Sequence, residues 1–309
     1  MIKWLISRLK KYTIIDNQIQ KIKRKMVSSR ALDRKLGKFL KGSYTIECEA
    51  IPKLIVSLTS YPARLDSIKY TLYSLFQQSV KPSKIVLCLA KEEIPDGYDS
   101  IPEILKKFEK LGLEILFTDS NYRSYNKLVH TLQLYPESII VTADDDLYYN
   151  SQWLEKLYTT HEQHPEDIIA HRVHAISFTN KKIDPYNSWN GPWVECSYLN
   201  FLTGVGGVLY PPNSLYKDVS NYHLFQELSP LADDVWFYIM ALLNRTKIRR
   251  IRNEVRQYCY IDKLNNSSGL MDLNVGENRN DYQINDVLSY YGLYDNFYEL
   301  FYDIEESYK

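Results

Sequence analysis

The stretch Ser138-Ile139-Ile140-Val141-Thr142-Ala143-Asp144-Asp145-Asp146-Leu147-Tyr148-Tyr149 decides how the chain is read. Ile139, Ile140 and Val141 are consecutive β-branched residues, the pattern of a strand buried on both faces of a parallel sheet. The run stops at three adjacent carboxylates, and ligands of open α/β sheets gather at the carboxyl ends of such strands. Adjacent acids repel one another and gain nothing from burial, so a bound divalent cation is their simplest compensation. Alternation along an extended segment puts Asp144 and Asp146 on one side and Asp145 on the other. Carboxylate oxygens suit Mg²⁺ or Mn²⁺, with Asp144 and Asp146 as the expected metal ligands. The plain alternative is a solvated acidic turn.

Upstream, Leu54-Ile55-Val56-Ser57-Leu58 reads as a first strand, followed by the loop Thr59-Ser60-Tyr61-Pro62-Ala63-Arg64. Leu65, Ile68, Leu72, Leu75 and Phe76 then recur at helical spacing, and Lys84-Ile85-Val86-Leu87-Cys88-Leu89-Ala90 is a second buried strand. This βαβ unit predicts parallel strands and a right-handed crossover. A short helix over 104–110 and a third strand over 114–118 follow. Lys127 stands in the first turn of a helix predicted over 127–134 that leads to the acidic strand. A helix start attracts anions, although an exposed lysine is the ordinary alternative.

Downstream, Trp153, Leu154, Leu157 and Tyr158 mark a helix, and 167–176 reads as one long strand. On such a strand His171 and His174 face opposite sides and do not share a metal. Residues 179–200 read as a long loop offering Trp189 and Trp193, and long loops inside a domain are usually functional. Residues 201–210 read as a glycine-rich strand, in which Gly206 and Gly207 permit close ligand approach or mark bulges. Asp233 and Asp234 open an amphipathic helix running to about Leu243. Capping explains one acid there comfortably, and two followed by Trp236 less well. A strand over 247–251, a polar stretch over 264–283 and a closing helix over 286–309 complete the chain.

With 309 residues, 45% apolar, the chain can bury a substantial α/β core. Its formal net charge is zero, which gives no sign of nucleic acid as a partner. The charge is uneven: residues 1–43 hold thirteen Lys and Arg against Asp16 and Asp33. Ile2, Trp4, Leu5, Ile6 and Leu9 form too short an apolar run to span a bilayer. The basic arm therefore reads either as a helix lying on anionic lipid or as one that packs on the domain. Cys48, Cys88, Cys196 and Cys259 lack metal or redox spacing and suit reduced core positions, so the expected location is cytoplasmic, with the inner face of the cell membrane as the alternative that the arm offers. The 27 tyrosines suit sugar or nucleotide faces, although base composition of the coding sequence raises tyrosine as well.

Taken in this order, Asp144-Asp145-Asp146-Leu147-Tyr148-Tyr149, Leu202-Thr203-Gly204, Gly206-Gly207 and Ala232-Asp233-Asp234-Val235-Trp236 resemble the nucleotide-sugar-dependent glycosyltransferases of the GT-A fold. The resemblance is greatest to bacterial family 2-like enzymes of capsule and surface polysaccharide synthesis and covers about residues 52–262. It implies a Rossmann-like, mostly parallel α/β sheet flanked by helices over 51–262. A basic N-terminal helical arm over 1–50 precedes it, and a mobile loop with a C-terminal helical segment over 263–309 follows. It implies a nucleotide-diphosphate sugar donor near Thr59, Tyr61, Arg64, Lys127, Asp144 and Asp145, with Mn²⁺ or Mg²⁺ on Asp144 and Asp146. A glycan or lipid-linked acceptor is implied near Trp189, Gly206, Gly207 and Trp236. Asp234 matches the catalytic base, with Asp233 as the second candidate, and one base opposite the leaving group implies inversion. The last histidine is His223, so no later histidine completes a metal site. Other classes compatible with these acids are a metal-dependent phosphohydrolase and a non-catalytic sugar-binding or scaffold protein.

Overall fold

Apolar runs without polar alternation need cover on both faces, and the main sheet supplies it. The computed structural model describes residues 26–42, 49–191, 194–252, 256–261 and 279–303. The expected residues 1–25 of the basic arm, most of the polar stretch 264–283, Cys48 and Trp193 lie outside them. The main sheet contains β1 (Ala50–Thr59), β2 (Lys81–Ala90), β3 (Leu113–Thr118), β4 (Ile139–Thr142), β5 (Ile168–Ala170), β6 (Cys196–Ser197), β7 (Val208–Tyr210) and β8 (Ile248–Arg250). Their spatial order is β6-β8-β5-β7-β4-β1-β2-β3. The β4-β1-β2-β3 half is parallel throughout, as is the β8-β5 pair. β7 runs antiparallel between β4 and β5, and β6 runs antiparallel to β8. The sheet is thus mixed α/β with a parallel half.

Helices cover both faces: α1 (Ser29–Lys41), α2 (Lys69–Phe76), α3 (Glu103–Glu109), α4 (Val129–Leu134), α5 (Trp153–Gln163), α6 (Tyr222–Leu228), α7 (Asp233–Leu243) and α8 (Arg279–Tyr290). Successive strand residues go to opposite cores. Val141 belongs to the core that holds Leu72, Leu75, Phe108 and Leu157, whereas Ile140 belongs to the one that holds Val129, Val235, Ile239 and Val287. This explains the unbroken β-branched run before the acids. α7 is buried almost all round, from Val235 to Leu242, which corrects the expected amphipathic helix.

Two long strands expected from sequence are broken, both beside the acids. The segment 167–176 divides into β5 and Val173–Ala175, and the glycine-rich segment divides into Asn200–Leu202 and β7. The two outer pieces pair with each other, away from the main sheet. Gly206 and Gly207 stand at φ +102° and +95°, a backbone conformation that ends a strand and that side-chain-bearing residues rarely adopt. The expected loop 179–200 also holds a small hairpin, Phe178–Thr179 against Lys182–Ile183, turned by Asn180 and Lys181 in the left-handed region.

α1 packs on the domain and points its charges outward. Leu32 and Leu36 are buried, Phe39 meets the Tyr73 ring at 5.4 Å, and the Tyr70 hydroxyl donates to Asp33 at 2.8 Å. α8 shares the α7 core through Ile284, Val287 and Leu288. Among the described residues no helix is long and apolar enough to cross a membrane. Because Leu32 is fully buried, Leu32→Ala should lower the stability of the whole domain by about 2–5 kcal/mol in urea titration. An arm held only by surface charge would leave the unfolding midpoint unchanged.

Candidate active site

β4 ends at Thr142, the Ala143 N–H donates to the Ser57 carbonyl at 2.9 Å, and the chain then turns through the three acids into a short strand, Leu147–Tyr149. The turn is held from two sides. Thr71 Oγ1 lies 2.9 Å from the Asp145 carbonyl oxygen and 2.7 Å from that of Leu147, and the Asp144 N–H donates to the Tyr149 hydroxyl at 2.8 Å. Because the acids sit in a turn, strand alternation does not apply to them. Asp144 faces Lys127, whose Nζ is 3.3 Å away, while Asp145 and Asp146 share Arg64 at 2.5 and 3.2 Å.

Asp145 is buried and accepts from Ser60 Oγ at 2.6 Å as well as from Arg64. Its carboxylate is engaged by these two groups within the fold. Burial raises its pKa, and Arg64 and Ser60 pull it back. Asp146 is pushed up to about 6, first by burial and then by Asp144, with Arg64 only partly offsetting them. Burial alone would favour neutral Arg64, but Asp145 and Asp146 hold the guanidinium more firmly charged than usual.

Lys127 is 7% exposed and lies in a 3₁₀ segment, Arg123–Lys127, ahead of α4, which corrects both the exposed reading and the expected helix start. Its ammonium sits between Asp144 and Asp233, 3.0 Å from Asp233 Oδ2. Burial disfavours the charge, yet Asp233, Asp144 and Asp234 together raise its pKa well above the usual value. Asp234 Oδ1 accepts the Gly204 N–H at 2.9 Å. Burial, then the neighbouring Asp233, push Asp234 up to about 7. A Cβ on Gly204 would stand 2.9 Å from Lys127 Nζ and 3.0 Å from Asp234 Oδ1, so a side chain here would push at least one of these groups out of place. The strand-end acids and the helix acids thus form one site joined through Lys127.

The remaining expected residues divide. Tyr61 is 39% exposed at the rim, and the Arg64 guanidinium lies 5.4 Å from its ring centre. Thr59 donates its hydroxyl to the Cys88 carbonyl on the neighbouring strand at 2.9 Å and is committed to the sheet. Trp236 is fully buried, with Nε1 donating to the Val219 carbonyl at 3.0 Å, so the expected acceptor contact is corrected: it is a core residue of α7. The space that a Cβ would take is filled by the Tyr258 ring at Gly206 and by the Trp153 ring at Gly207. Trp189 is half-buried against Phe201, its Nε1 donating to the Asp184 carbonyl at 2.7 Å, which corrects the expected exposure. Sequence reasoning missed Gly204 as the close-approach glycine, Tyr149 as a clamp on the acid turn, and Arg172 with His174 at its border. Glycine content gave a signal only for the first.

Among the described residues no three His, Cys, Asp or Glu side chains converge to hold a metal ion. Asp144 and Asp146 nevertheless fit a hard cation that takes its other oxygens from substrate phosphates. Asp144 raises the pKa of Asp146, so repulsion between them is left for a positive charge to relieve.

The Asp234 shift has a consequence for stability. Its folded pKa, about 7, lies above the ordinary Asp value, so between the two the folded chain binds the extra proton. Stability from this group is full at low pH and is lost as pH rises through about 7. Asp234→Asn keeps an acceptor for Gly204 and carries no charge. It should exceed the parent in stability at pH 8 by on the order of 2–4 kcal/mol and match it near pH 4, as read by urea unfolding at both values.

A comparison with curated proteins gives no match. Among solved structures, residues 1–349 of TarS from S. aureus in complex with UDP are 17% identical, with a TM-score of 0.45. That alignment covers 68% of this chain and 60% of the other, so the chain spans less than two thirds of that relative's length. The mannosyltransferase PcManGT from Pyrobaculum calidifontis, in complex with GDP-Man and Mn²⁺, is 11% identical with a TM-score of 0.45, over 80% of this chain and 67% of the other. At these values the likeness carries no chemistry across. The model of glycosyl transferase family 2 matches residues 58–225, more than half of the chain and including the acid turn, Lys127 and Gly204. With a mixed α/β sheet covered on both faces and its acids at a strand end, the chain belongs to glycosyl transferase family 2.

Proposed function

We propose that the protein transfers a sugar, with inversion and with a divalent metal, from a nucleotide-diphosphate sugar to a hydroxyl of a glycan or lipid-linked acceptor of a cell-surface polysaccharide. The observation that carries this reading is the buried Lys127 between Asp144 and Asp233, which brings the strand-end acids and the helix acids to one place. Asp144 and Asp146 would hold Mn²⁺ or Mg²⁺, and the cation supplies positive charge where the leaving phosphate develops its negative charge.

Asp234 takes the proton of the acceptor hydroxyl, whose oxygen attacks the anomeric carbon opposite the leaving phosphate, and the bond to that phosphate breaks. A pKa of about 7 suits a general base at neutral pH. Asp233 is occupied by Lys127, which favours Asp234 for the role and leaves Asp233 to position the helix start. Lys127 is a positioning residue in this scheme, since Asp144 and Asp233 already surround its charge. Tyr186 supports a ring-bearing acceptor beside the base: its phenol is pushed up to about 12 by burial and then by Asp234, which places the ring within reach of that carboxylate's field.

The test is nucleotide release from a panel of nucleotide sugars with Mn²⁺ or Mg²⁺. Excess chelator, or Asp146→Ala, should abolish turnover, and full activity in chelator would reject metal dependence. Asp234→Asn should lower the rate on the order of 10²–10⁴-fold with donor affinity retained, and Asp233→Asn should lose less. Because the base must be ionised, kcat/KM should fall about tenfold per pH unit below about 7. A profile flat from pH 5 to 8 would remove Asp234 from the role.

A further inference from the structure

Five carboxylates meet at the site, and two cations there are each held by a pair of them: Arg64 by Asp145 and Asp146, Lys127 by Asp144 and Asp233. Arg172 borders the same site and forms no ion pair among the described residues. Its backbone is fixed, because the Thr203 N–H donates to the Arg172 carbonyl at 3.3 Å, one residue before the Gly204 that holds Asp234. Its charge is felt at Tyr186, as is that of Asp234, and at Tyr258, as is that of Asp144. The Arg172 side chain therefore borders the acid site, its backbone joined to Thr203 beside Gly204. It is only partly buried, which leaves it reachable.

Among the described residues Arg172 has one side-chain partner, His174, with Nη2 donating to Nε2 at 3.0 Å. The imidazole stacks on Tyr186 at 5.4 Å and sits opposite Phe201 in the Val173–Ala175 ladder. Burial, then Arg172 itself, push it down to about 4, so it is neutral across the working range of most enzymes. A neutral acceptor orients the guanidinium without cancelling its charge, and the planar fork keeps further N–H donors for a ligand.

We propose that Arg172, oriented by His174, is a seat for a phosphate group of a substrate bound at this site. The inference rests on the sugar-transfer reading of the site and adds a residue pair which that reading does not use. A phosphate entering among five carboxylates is repelled. Among the described residues Arg64 and Lys127 are matched by carboxylates and Arg172 is not, and Arg forks fit phosphate oxygens bidentately. Such a phosphate has two sources, the diphosphate of the donor or a phosphate carried by the acceptor.

Calorimetric titration of the full chain with two probes separates the sources: inorganic pyrophosphate with Mg²⁺ for the donor side, and inorganic phosphate added to the pyrophosphate-saturated protein for the acceptor side. Arg172→Gln should weaken one of these about tenfold or more, the loss of charge-assisted hydrogen bonds. Loss with pyrophosphate assigns the seat to the donor, and loss with the second phosphate assigns it to the acceptor. His174→Phe should reproduce much of the loss, and His174→Gln, which keeps an acceptor, should restore binding. A merely structural His174 would instead shift the melting temperature without changing phosphate affinity. Unchanged binding of both probes by Arg172→Gln, or no binding of either by the parent, overturns the proposal. Failure of the sugar-transfer reading is seen separately, as no nucleotide release from any nucleotide sugar by the parent.

Discussion

The buried ammonium of Lys127 is the interaction on which the arrangement of the site depends. Removing an ammonium from water costs several kcal/mol, and only close, well-placed opposite charges return it. Here three do, Asp233 and Asp144 in contact and Asp234 through its field, and the group stays charged despite burial. Two of these acids lie far apart in sequence, one after β4 and one at the start of α7. The same cation is therefore a constraint on tertiary structure: the turn after β4 cannot shift without stripping Lys127 of a partner. Breaking such a pair by removing one member typically costs about 3–5 kcal/mol, because the remaining charge is left buried and unpaired. Gly204 completes the arrangement by bringing backbone where a side chain would strike both Lys127 and Asp234.

Around this centre the carboxylates have different duties although they are chemically alike. Asp145 is drawn inward by Ser60 and Arg64, and with Thr71 on its carbonyl it anchors the turn. Anchoring that one acid fixes the directions of its neighbours, leaving Asp144 toward Lys127 and Asp146 on the farther side of Arg64. On α7 a similar division follows from helix geometry. Consecutive residues point about 100° apart on a helix, so Asp233 reaches Lys127 while Asp234 turns to the Gly204 amide.

The fold was legible where burial leaves a one-dimensional trace. The β-branched run before Asp144 reads as a two-faced strand because Ile140 and Val141 do feed opposite cores. The helix start at Asp233 is legible because acids favour a helix N-terminus. What failed depends on contacts between distant residues. Trp236 follows two acids but belongs to a helix buried almost all round, and burial on every side leaves no periodicity to reveal which ring faces the site. The broken strands at His171-Arg172 and at Gly204–Gly207 were read as continuous, since apolar content does not register a positive φ at Gly206. For Lys127 an exposed position stays open beside a helix start in the sequence, because a buried lysine is recognised only by partners that the sequence places 17 and 106 residues away. Arg172 and His174 carry no spacing signal at all, since their meaning lies in which nearby cations are already paired.

The charge balance leads to one further step. Among the described residues Asp146 shares Arg64 with Asp145, and Asp234 accepts the Gly204 N–H beside a cation engaged elsewhere. These are the acids pushed up to about 6 and about 7, each first by burial. The fold therefore leaves two carboxylates under-compensated while it satisfies their neighbours, an arrangement that costs stability and serves packing in no evident way. An under-compensated carboxylate gains most from an arriving positive charge. In the proposed reaction these would be a metal ion at Asp146 and a proton at Asp234, the two positive charges that breaking a sugar–phosphate bond and deprotonating a hydroxyl require. Among the described residues neither acid is paired with a dedicated lysine, which agrees with the role proposed for Asp234: a full ion pair would hold its pKa low, and a carboxylate kept that acidic would take up a hydroxyl proton poorly.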